Sequence, residues 1–129
     1  MPCRPKLRQF MFTVEDRIRL RHMLEAAQKI AAFTRGRTRQ DLNTNEMLAL
    51  AVVRLIEILG EAAKNISVEV QAQSPEIPWR QIAGTRDRLA HAYFDVNLDI
   101  IWQIVTTDLQ PLIHNLETLL HQADALSDG

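Results

Sequence analysis

Hydrophobic residues recur along most of the chain at spacings of three and four, which is the period of an α-helix. The pattern predicts a first helix with Thr13 as its N-cap and Gly36 as its C-terminal cap. It predicts a second helix from Asn43 or Thr44 to about Gln73. Both helices carry an apolar face, so each needs a partner to cover it.

The second half of the chain follows the same pattern. A break at 74–78 precedes a third helix from about Trp79 to Phe94. A long final pattern runs from residue 98 to residue 120, and Pro111 should kink or divide it. Because no segment alternates with the period of a strand, we predict an all-α fold, an antiparallel four-helix bundle with a kinked or divided C-terminal helix.

The size and composition fit one domain. With 129 residues and 47% hydrophobic content the chain can build one core, so we expect a single domain over 1–129, with 1–12 as a basic N-terminal segment and 124–129 as a flexible tail. Cys3 is the single cysteine, which excludes an intramolecular disulfide. The longest apolar run, 47–53, is too short to cross a bilayer, and we expect a cytoplasmic protein.

The net charge of −1 hides an uneven distribution. Residues 1–39 carry ten Lys or Arg and three acids, a net charge of +7, whereas residues 40–129 sum to −8. This asymmetry indicates a basic end that faces phosphates or an acidic partner; a solvated helix face with a basic terminus is the alternative. Aromatic residues make up 5%, which argues against base stacking as the main contact with nucleic acid.

The third predicted helix carries the candidate chemistry. Arg86, His91 and Tyr93 form an Arg-x4-His-x-Tyr motif that places a permanent cation, a base that titrates near neutrality and a phenol within eight residues. These groups can bind a phosphodiester, move its protons and offer one hydroxyl for modification. An isolated motif of this kind is more often a solvated polar face, and a lone tyrosine more often a packing residue.

Helical geometry limits what one copy of the motif can do. At 100° per residue the side chains of Arg86 and His91 point about 140° apart, so one helix cannot enclose a phosphate. In a twofold dimer the polar faces of two such helices could line a shared groove. Asp87 lies about 40° from His91 and could orient the imidazole, and Arg88 extends the polar face.

Three blocks together resemble a known family. The stretch 77–94 resembles the signature of the HepT toxins, a branch of the HEPN ribonuclease superfamily. The stretch 54–64 resembles a second shared block, and 99–102 resembles the segment after the motif. The resemblance spans roughly residues 10–120.

The resemblance implies a helical, metal-independent endoribonuclease that acts as a homodimer without a cofactor. It implies the toxin of a type VII toxin–antitoxin system, neutralised by a minimal nucleotidyltransferase antitoxin. Carried over by position, Arg86 and His91 are catalytic, and Tyr93 is the tyrosine that the antitoxin adenylylates. From their places on the helix, Asp87 and Arg88 are expected to support the catalytic pair. Family members often have Asn at the position of Asp87, and an acid there repels substrate unless a neighbouring cation pairs with it.

The motif contains no set of metal ligands, so we expect no metal site and a reaction in which an RNA 2′-hydroxyl attacks its own phosphorus. Two other functions fit the same residues. The chain could be a non-catalytic helical binding partner, or the substrate-binding subunit, of a nucleotidyltransferase. It could also be a structural bundle in which the motif does no chemistry. Growth arrest in the absence of a partner would separate a toxin from both.

Overall fold

The computed structural model describes residues 12–91 and 97–128, with the side chains of 86–91 and 126–128 left out of the description. The described residues are helical and contain no strand, which confirms the all-α prediction. The elements are α1 (Val14–Thr34), α2 (Asp41–Thr44), α3 (Glu46–Lys64), α4 (Val68–Gln73), α5 (Trp79–His91), α6 (Leu98–Gln103), a π-helical turn (Ile104–Asp108) and α7 (Leu109–Asp128). No helix in the described ranges is long and apolar enough to cross a membrane.

The first helix begins and ends where the sequence predicts. Thr13 caps α1 by accepting a hydrogen bond on its hydroxyl from the backbone N–H of Asp16, at 3.0 Å. At the other end Gly36 has a φ of +73°, and the N–H of Arg37 donates to the carbonyl of Thr34 at 3.0 Å. This closes a turn that needs a glycine in the left-handed region.

The single second helix predicted from residue 43 or 44 to about residue 73 is wrong. The structure has the end of α2 and two further helices there, because α2 ends at Thr44, α3 ends at Lys64 and α4 begins at Val68. The break at Ser67 has a tertiary cause. One carboxyl oxygen of Asp16 accepts the backbone N–H of Ser67 at 3.0 Å and the other accepts its hydroxyl at 2.8 Å. These bonds hold residue 67 in an extended conformation that a continuous helix cannot adopt.

The C-terminal helix is divided, as predicted. Between α6 and α7 the chain makes one π-helical turn, in which the N–H of Leu109 donates to the carbonyl of Ile104. Pro111 follows at once; it has no N–H to donate and its ring opposes the carbonyl four residues earlier. The wider turn accommodates both effects and joins the two α-helical segments α6 and α7. The last helix continues to Asp128, through most of the segment expected to form a tail.

The long helices pack side by side and alternate in direction. Helix α1 packs against α3 and α7, and α3 packs against α5. The bonds from Asp16 to Ser67 join the start of α1 to the end of α3, and the 3.1 Å ion pair of Arg21 with Asp124 joins the start of α1 to the end of α7. The fully buried side chains between the helices are Leu20, Met23, Ile30, Val52, Val70, Ile77, Ile101, Leu109, Leu116 and Leu119.

We expect Asp16→Ala to lower the free energy of unfolding by about 2–3 kcal/mol. Asp16 is 2% exposed, and its removal leaves the N–H and hydroxyl of Ser67 without their partners. Asp124→Ala is the matched control, because its ion pair with Arg21 is partly exposed and should contribute less than about 1 kcal/mol. Urea denaturation measures both. Equal losses in the two variants would contradict the role given to Asp16.

Candidate functional site

The start of the helix that carries the motif is firmly anchored. The indole N–H of Trp79 donates to the carbonyl of Ser74 at 3.1 Å, and Trp79 and Ile77 are both buried. The N–H of Ile82 donates to the carbonyl of Pro78 at 3.0 Å. Pro78 therefore immediately precedes α5 and accepts a hydrogen bond from its first turn. Helix α5 then packs along α3. The direction of α5 is thus fixed before the motif begins.

A short hydrogen bond adds a titratable group to this anchor. The hydroxyl of Ser74, itself 2% exposed, donates to Oε1 of Glu76 at 2.6 Å. This bond, helped by a backbone hydrogen bond at Glu76, lowers the pKa of the Glu76 carboxyl below its ordinary value. The turn before α5 therefore holds a carboxylate at the rim of the groove described below.

The predicted catalytic and supporting residues lie on the last described turns of α5. The backbone of Arg86, Asp87, Arg88 and His91 is helical, and His91 is the last residue of α5 that the structure describes. Their side-chain positions, and the whole of Tyr93, lie outside the described residues. The arrangement of guanidinium, imidazole and phenol therefore stays a prediction. What the structure supplies is the end of the bundle at which these residues lie.

That end is defined by a direct contact between distant segments. Nε of Arg39 donates to Oδ1 of Asp99 at 2.8 Å, and Nη1 of Arg39 also donates to Oδ1 of Asn43. Asp99 lies in the first turn of α6, which Asn97 caps by accepting the backbone N–H groups of residues 99 and 100. In the alternating bundle the end of α1, the start of α3, the end of α5 and the start of α6 meet at one end. The connection after α1 therefore lies at the same end of the bundle as His91.

A groove of about 840 Å³ separates α5 from the divided C-terminal helix. Apolar side chains from α3, α5, the π-helical turn and α7 line this groove: Ile56, Leu59, Ile82, Ile104, Leu109 and Leu112. Polar side chains at its edges include Gln81, Thr85 and Asn115. Gly84, two residues before the motif, also lines it, and a Cβ at that position would meet nothing within 4 Å. The groove leaves the side of α5 beside the motif open to an approaching molecule.

A second cavity, of about 340 Å³, lies between α1 and α3. Nη1 of Arg19 donates to the carbonyl of Asn65 at its edge, at 3.2 Å, and Arg54 forms a 3.5 Å ion pair with Glu57. Asn65 marks the end of α3, so this edge lies roughly 27 Å along that helix from the end that holds His91. Within the described ranges no three His, Cys, Asp or Glu side chains are close enough to hold a metal ion.

Sequence reasoning missed the contact that organises the end with the motif. The charge pattern predicts a basic end over residues 1–39 but no partner within the chain for Arg39, because Arg39 and Asp99 are 60 residues apart. Sequence reasoning also missed the groove, since an opening between helices depends on how far apart they pack. A usable signal for the contact was the position of Asp99, which opens the third block of the family resemblance.

Residues 23–119 match the family described as "HepT-like: Ribonuclease HepT-like". The chain belongs to this family. The HepT-like assignment runs from within α1 to within α7, and it includes the motif helix, the groove and the contact between Arg39 and Asp99. It confirms the resemblance that the three sequence blocks indicate.

Named relatives agree with the HepT-like assignment. The chain is 40% identical over 100 residues to a Thermococcus cleftensis protein named "Probable ribonuclease HepT", which covers 78% of this chain and 91% of that protein. It is 34% identical over 103 residues to a "Putative RNase" of Caldanaerobacter subterraneus subsp. tengcongensis, or 80% of this chain and 92% of that protein. No solved structure shows significant similarity to the chain.

A further relative is longer than this HepT-like chain. A Methanocaldococcus jannaschii protein named "Gamma-glutamylcyclotransferase and putative RNase" is 36% identical over 108 residues, which are 84% of this chain. The match covers 49% of that protein, so the chain spans about half the length of this relative.

We expect Ser74→Ala to raise the pKa of Glu76 toward the ordinary value of a glutamate, because the variant removes the strongest hydrogen bond to the carboxylate. The carboxyl resonance of Glu76, followed by NMR through an acid titration, measures the shift. The pKa of Glu76 is lower in the folded than in the unfolded protein. The hydrogen bond therefore stabilises the fold fully at pH values above the unfolded pKa, and this stabilisation is lost as the pH falls through the folded pKa. Glu69, exposed on α4, is the reference carboxyl. An unchanged midpoint for Glu76 in the variant would contradict this account.

Proposed function

We propose that this HepT-like ribonuclease is the toxin of a type VII HEPN–nucleotidyltransferase toxin–antitoxin system and a metal-independent endoribonuclease. Family membership over residues 23–119, together with the Arg-x4-His-x-Tyr motif at the end of α5, carries the proposal. The relatives named as ribonucleases support RNA as the substrate. The open groove along α5 supports access to the motif from outside the bundle.

The proposed reaction breaks one phosphodiester bond and needs no co-reactant. His91 removes the proton of a 2′-hydroxyl, and the 2′-oxygen attacks the adjacent phosphorus. The bond to the 5′-oxygen breaks, a protonated imidazole returns a proton to that oxygen, and the products are a 2′,3′-cyclic phosphate and a 5′-hydroxyl. The guanidinium of Arg86 stabilises the charge that builds up on the phosphorane oxygens. Asp87 and Arg88 orient the imidazole and balance the local charge.

The site is proposed to form between two copies of the chain. Side chains five residues apart on one helix diverge by about 140°, so Arg86 and His91 of one α5 cannot both contact one phosphate closely. A twofold dimer that opposes two motif helices supplies a second Arg and a second His, and its imidazoles can act as base and acid. A chain that is monomeric in sedimentation at concentrations that cleave RNA would contradict the shared site.

The antitoxin is proposed to act on Tyr93. The phenolic oxygen attacks the α-phosphorus of ATP, pyrophosphate leaves, and the tyrosine carries an adenylyl group through a phosphodiester. Two residues from His91, this group adds negative charge and bulk where the substrate phosphate must bind. It can then occupy Arg86 in place of RNA. Modification therefore inhibits the nuclease without unfolding the protein.

We expect His91→Ala and Arg86→Ala each to lower the cleavage rate of single-stranded RNA about 100- to 10,000-fold, since each removes a group that acts in the transition state. His121→Ala, an exposed histidine on α7, is the matched control and should cleave like the wild type. Cleavage should continue in EDTA, and RNA with 2′-deoxy sugars should resist. A His91→Ala protein with full activity would exclude this mechanism. A wild type that leaves RNA intact but binds a nucleotidyltransferase would favour the non-catalytic alternative.

We expect co-expression with the cognate nucleotidyltransferase to add adenylyl groups to Tyr93 and to abolish cleavage. Tyr93 is the single tyrosine of the chain, so peptide mass spectrometry assigns the site without ambiguity. Tyr93→Phe should remain unmodified and should cleave RNA in the presence of the enzyme. An adduct on another residue, or an inhibited Tyr93→Phe protein, would contradict modification as the means of neutralisation.

A further inference from the structure

The connection after α1 presents two arginines on a rigid backbone. Arg35 and Gly36 occupy the central positions of a turn, with φ and ψ of −60° and 127° at Arg35 and a φ of +73° at Gly36. The N–H of Arg37 closes the turn on the carbonyl of Thr34 at 3.0 Å. These angles match a type II turn, in which glycine is favoured at the second central position. The backbone that carries Arg35 and Arg37 therefore has one defined shape.

The other side of the connection is also held. Oδ2 of Asp41 accepts the backbone N–H of Thr38 at 2.7 Å and its hydroxyl at 3.3 Å. Arg39 binds Asp99 and Asn43, as described above. Residues 35–39, here named the basic turn, are thus fixed at both ends. Binding a ligand there costs little loss of backbone entropy.

The charged side chains of the basic turn differ in whether they have a hydrogen-bond or ion-pair partner. Arg39 is paired with Asp99, and Asp41 is engaged with Thr38. Arg35 and Arg37 are exposed, and their guanidinium groups make no hydrogen bond or ion pair with any part of the chain that the structure describes. Two guanidinium groups therefore face solvent, while Asp41 and Asp99, the acids that contact the turn, are each bound to another residue of it. Each guanidinium can donate two parallel hydrogen bonds to a phosphate.

An exposed aromatic residue precedes these cations in the chain. Phe33, in the last turn of α1, is 45% exposed, although its chain neighbour Thr34 is buried. Lys29 lies one turn earlier on the same row of the helix and is also exposed. An exposed phenyl ring near unpaired cations in the chain offers the two contacts that single-stranded RNA takes, a stacking surface for a base and positive charge for its backbone.

The basic turn lies at the end of the bundle that carries the motif. It connects α1 to the start of α3, and Arg39 of the turn contacts Asp99 in the first turn of α6. The described part of α5 ends at His91 at this same end. A nucleic-acid strand bound across the turn would therefore lie on the end of the bundle where cleavage is proposed.

From these contacts we infer that Phe33, Arg35 and Arg37 form a substrate-binding surface for single-stranded RNA that positions the strand for the proposed cleavage site. The inference rests on the proposed ribonuclease function and extends it to residues outside the motif. Arg35 and Arg37 bind phosphates next to the scissile one, and Phe33 stacks on a base. Arg39 is a positioning residue, because its guanidinium group binds Asp99 of α6 and Asn43 and so holds the turn in place.

The test compares binding of an uncleavable RNA by the wild type and four variants. The probe is a fluorescent single-stranded oligonucleotide with 2′-O-methyl sugars, titrated by anisotropy over a range of salt. The test variant is Arg35→Gln/Arg37→Gln. The matched control is Arg54→Gln/Lys64→Gln, which removes two exposed cations from α3. Arg35→Lys/Arg37→Lys restores the charge, and thermal unfolding confirms that each protein is folded.

We expect the test variant to bind more weakly and to lower the slope of log affinity against log salt by about 1.4, because each phosphate contact on a single strand contributes about 0.7. The lysine variant should recover most of the slope, and the α3 control should keep all of it. Phe33→Ala should lose about 5- to 150-fold in affinity with an unchanged slope, as expected for a lost stacking contact. On cleavable RNA the test variant should raise KM and leave kcat nearly unchanged.

Each other result overturns a specific claim. If the wild type cleaves RNA and the test variant keeps its affinity and salt slope, the surface is wrong and the ribonuclease stands. If the α3 control loses as much as the test variant, the binding is non-specific and the surface is also wrong. If the test variant keeps its RNA affinity but no longer binds the nucleotidyltransferase, the turn is a protein interface. If the wild type neither binds nor cleaves RNA, both proposals fall together.

Discussion

The fold depends on one buried polar contact, the carboxyl of Asp16 on the backbone and hydroxyl of Ser67. Without it, residues 43–73 have the pattern of one continuous helix, and a helix of that length would carry the chain past the end of the bundle. The contact favours the end of α3 and the start of a separate helix, α4, after Ser67. The chain then leads to Trp79, where α5 begins. The direction of α5, and hence the end at which the motif lies, follows from this path of the chain.

The opposite end of the bundle is organised by an exposed contact, which is weaker and has a different role. Arg39 and Asp99 bring the connection after α1 against the first turn of α6, and Asp99 is 82% exposed on its side chain. Such a pair contributes little to stability. Its effect is to place fixed cations at the end of the molecule that carries the motif. In proteins that bind nucleic acid, contacts to phosphates fix the position of the strand, so cations at this end suit a protein of a ribonuclease family.

Much of the site could be predicted because it is local in sequence. The capping residues of α1, the proline before α5 and the spacing of the Arg-x4-His-x-Tyr motif are all read within a few positions of one another. The family assignment follows from those same blocks and is confirmed by the match over residues 23–119. The roles of Arg86, His91 and Tyr93 rest on that local pattern and on the family, since their side chains lie outside the described residues.

The sequence alone determined the all-helical class, the divided C-terminal helix and the family, because helical period, proline chemistry and motif spacing are properties of neighbouring residues. The tertiary structure alone decided where the second helix breaks, that a groove opens along α5, and that the basic turn lies at the end of the bundle with the motif. The helix break and the place of the basic turn arise from pairs 51 and 60 residues apart, and the groove arises from how far apart the helices pack. No local preference encodes such pairs, because packing chooses which distant groups meet.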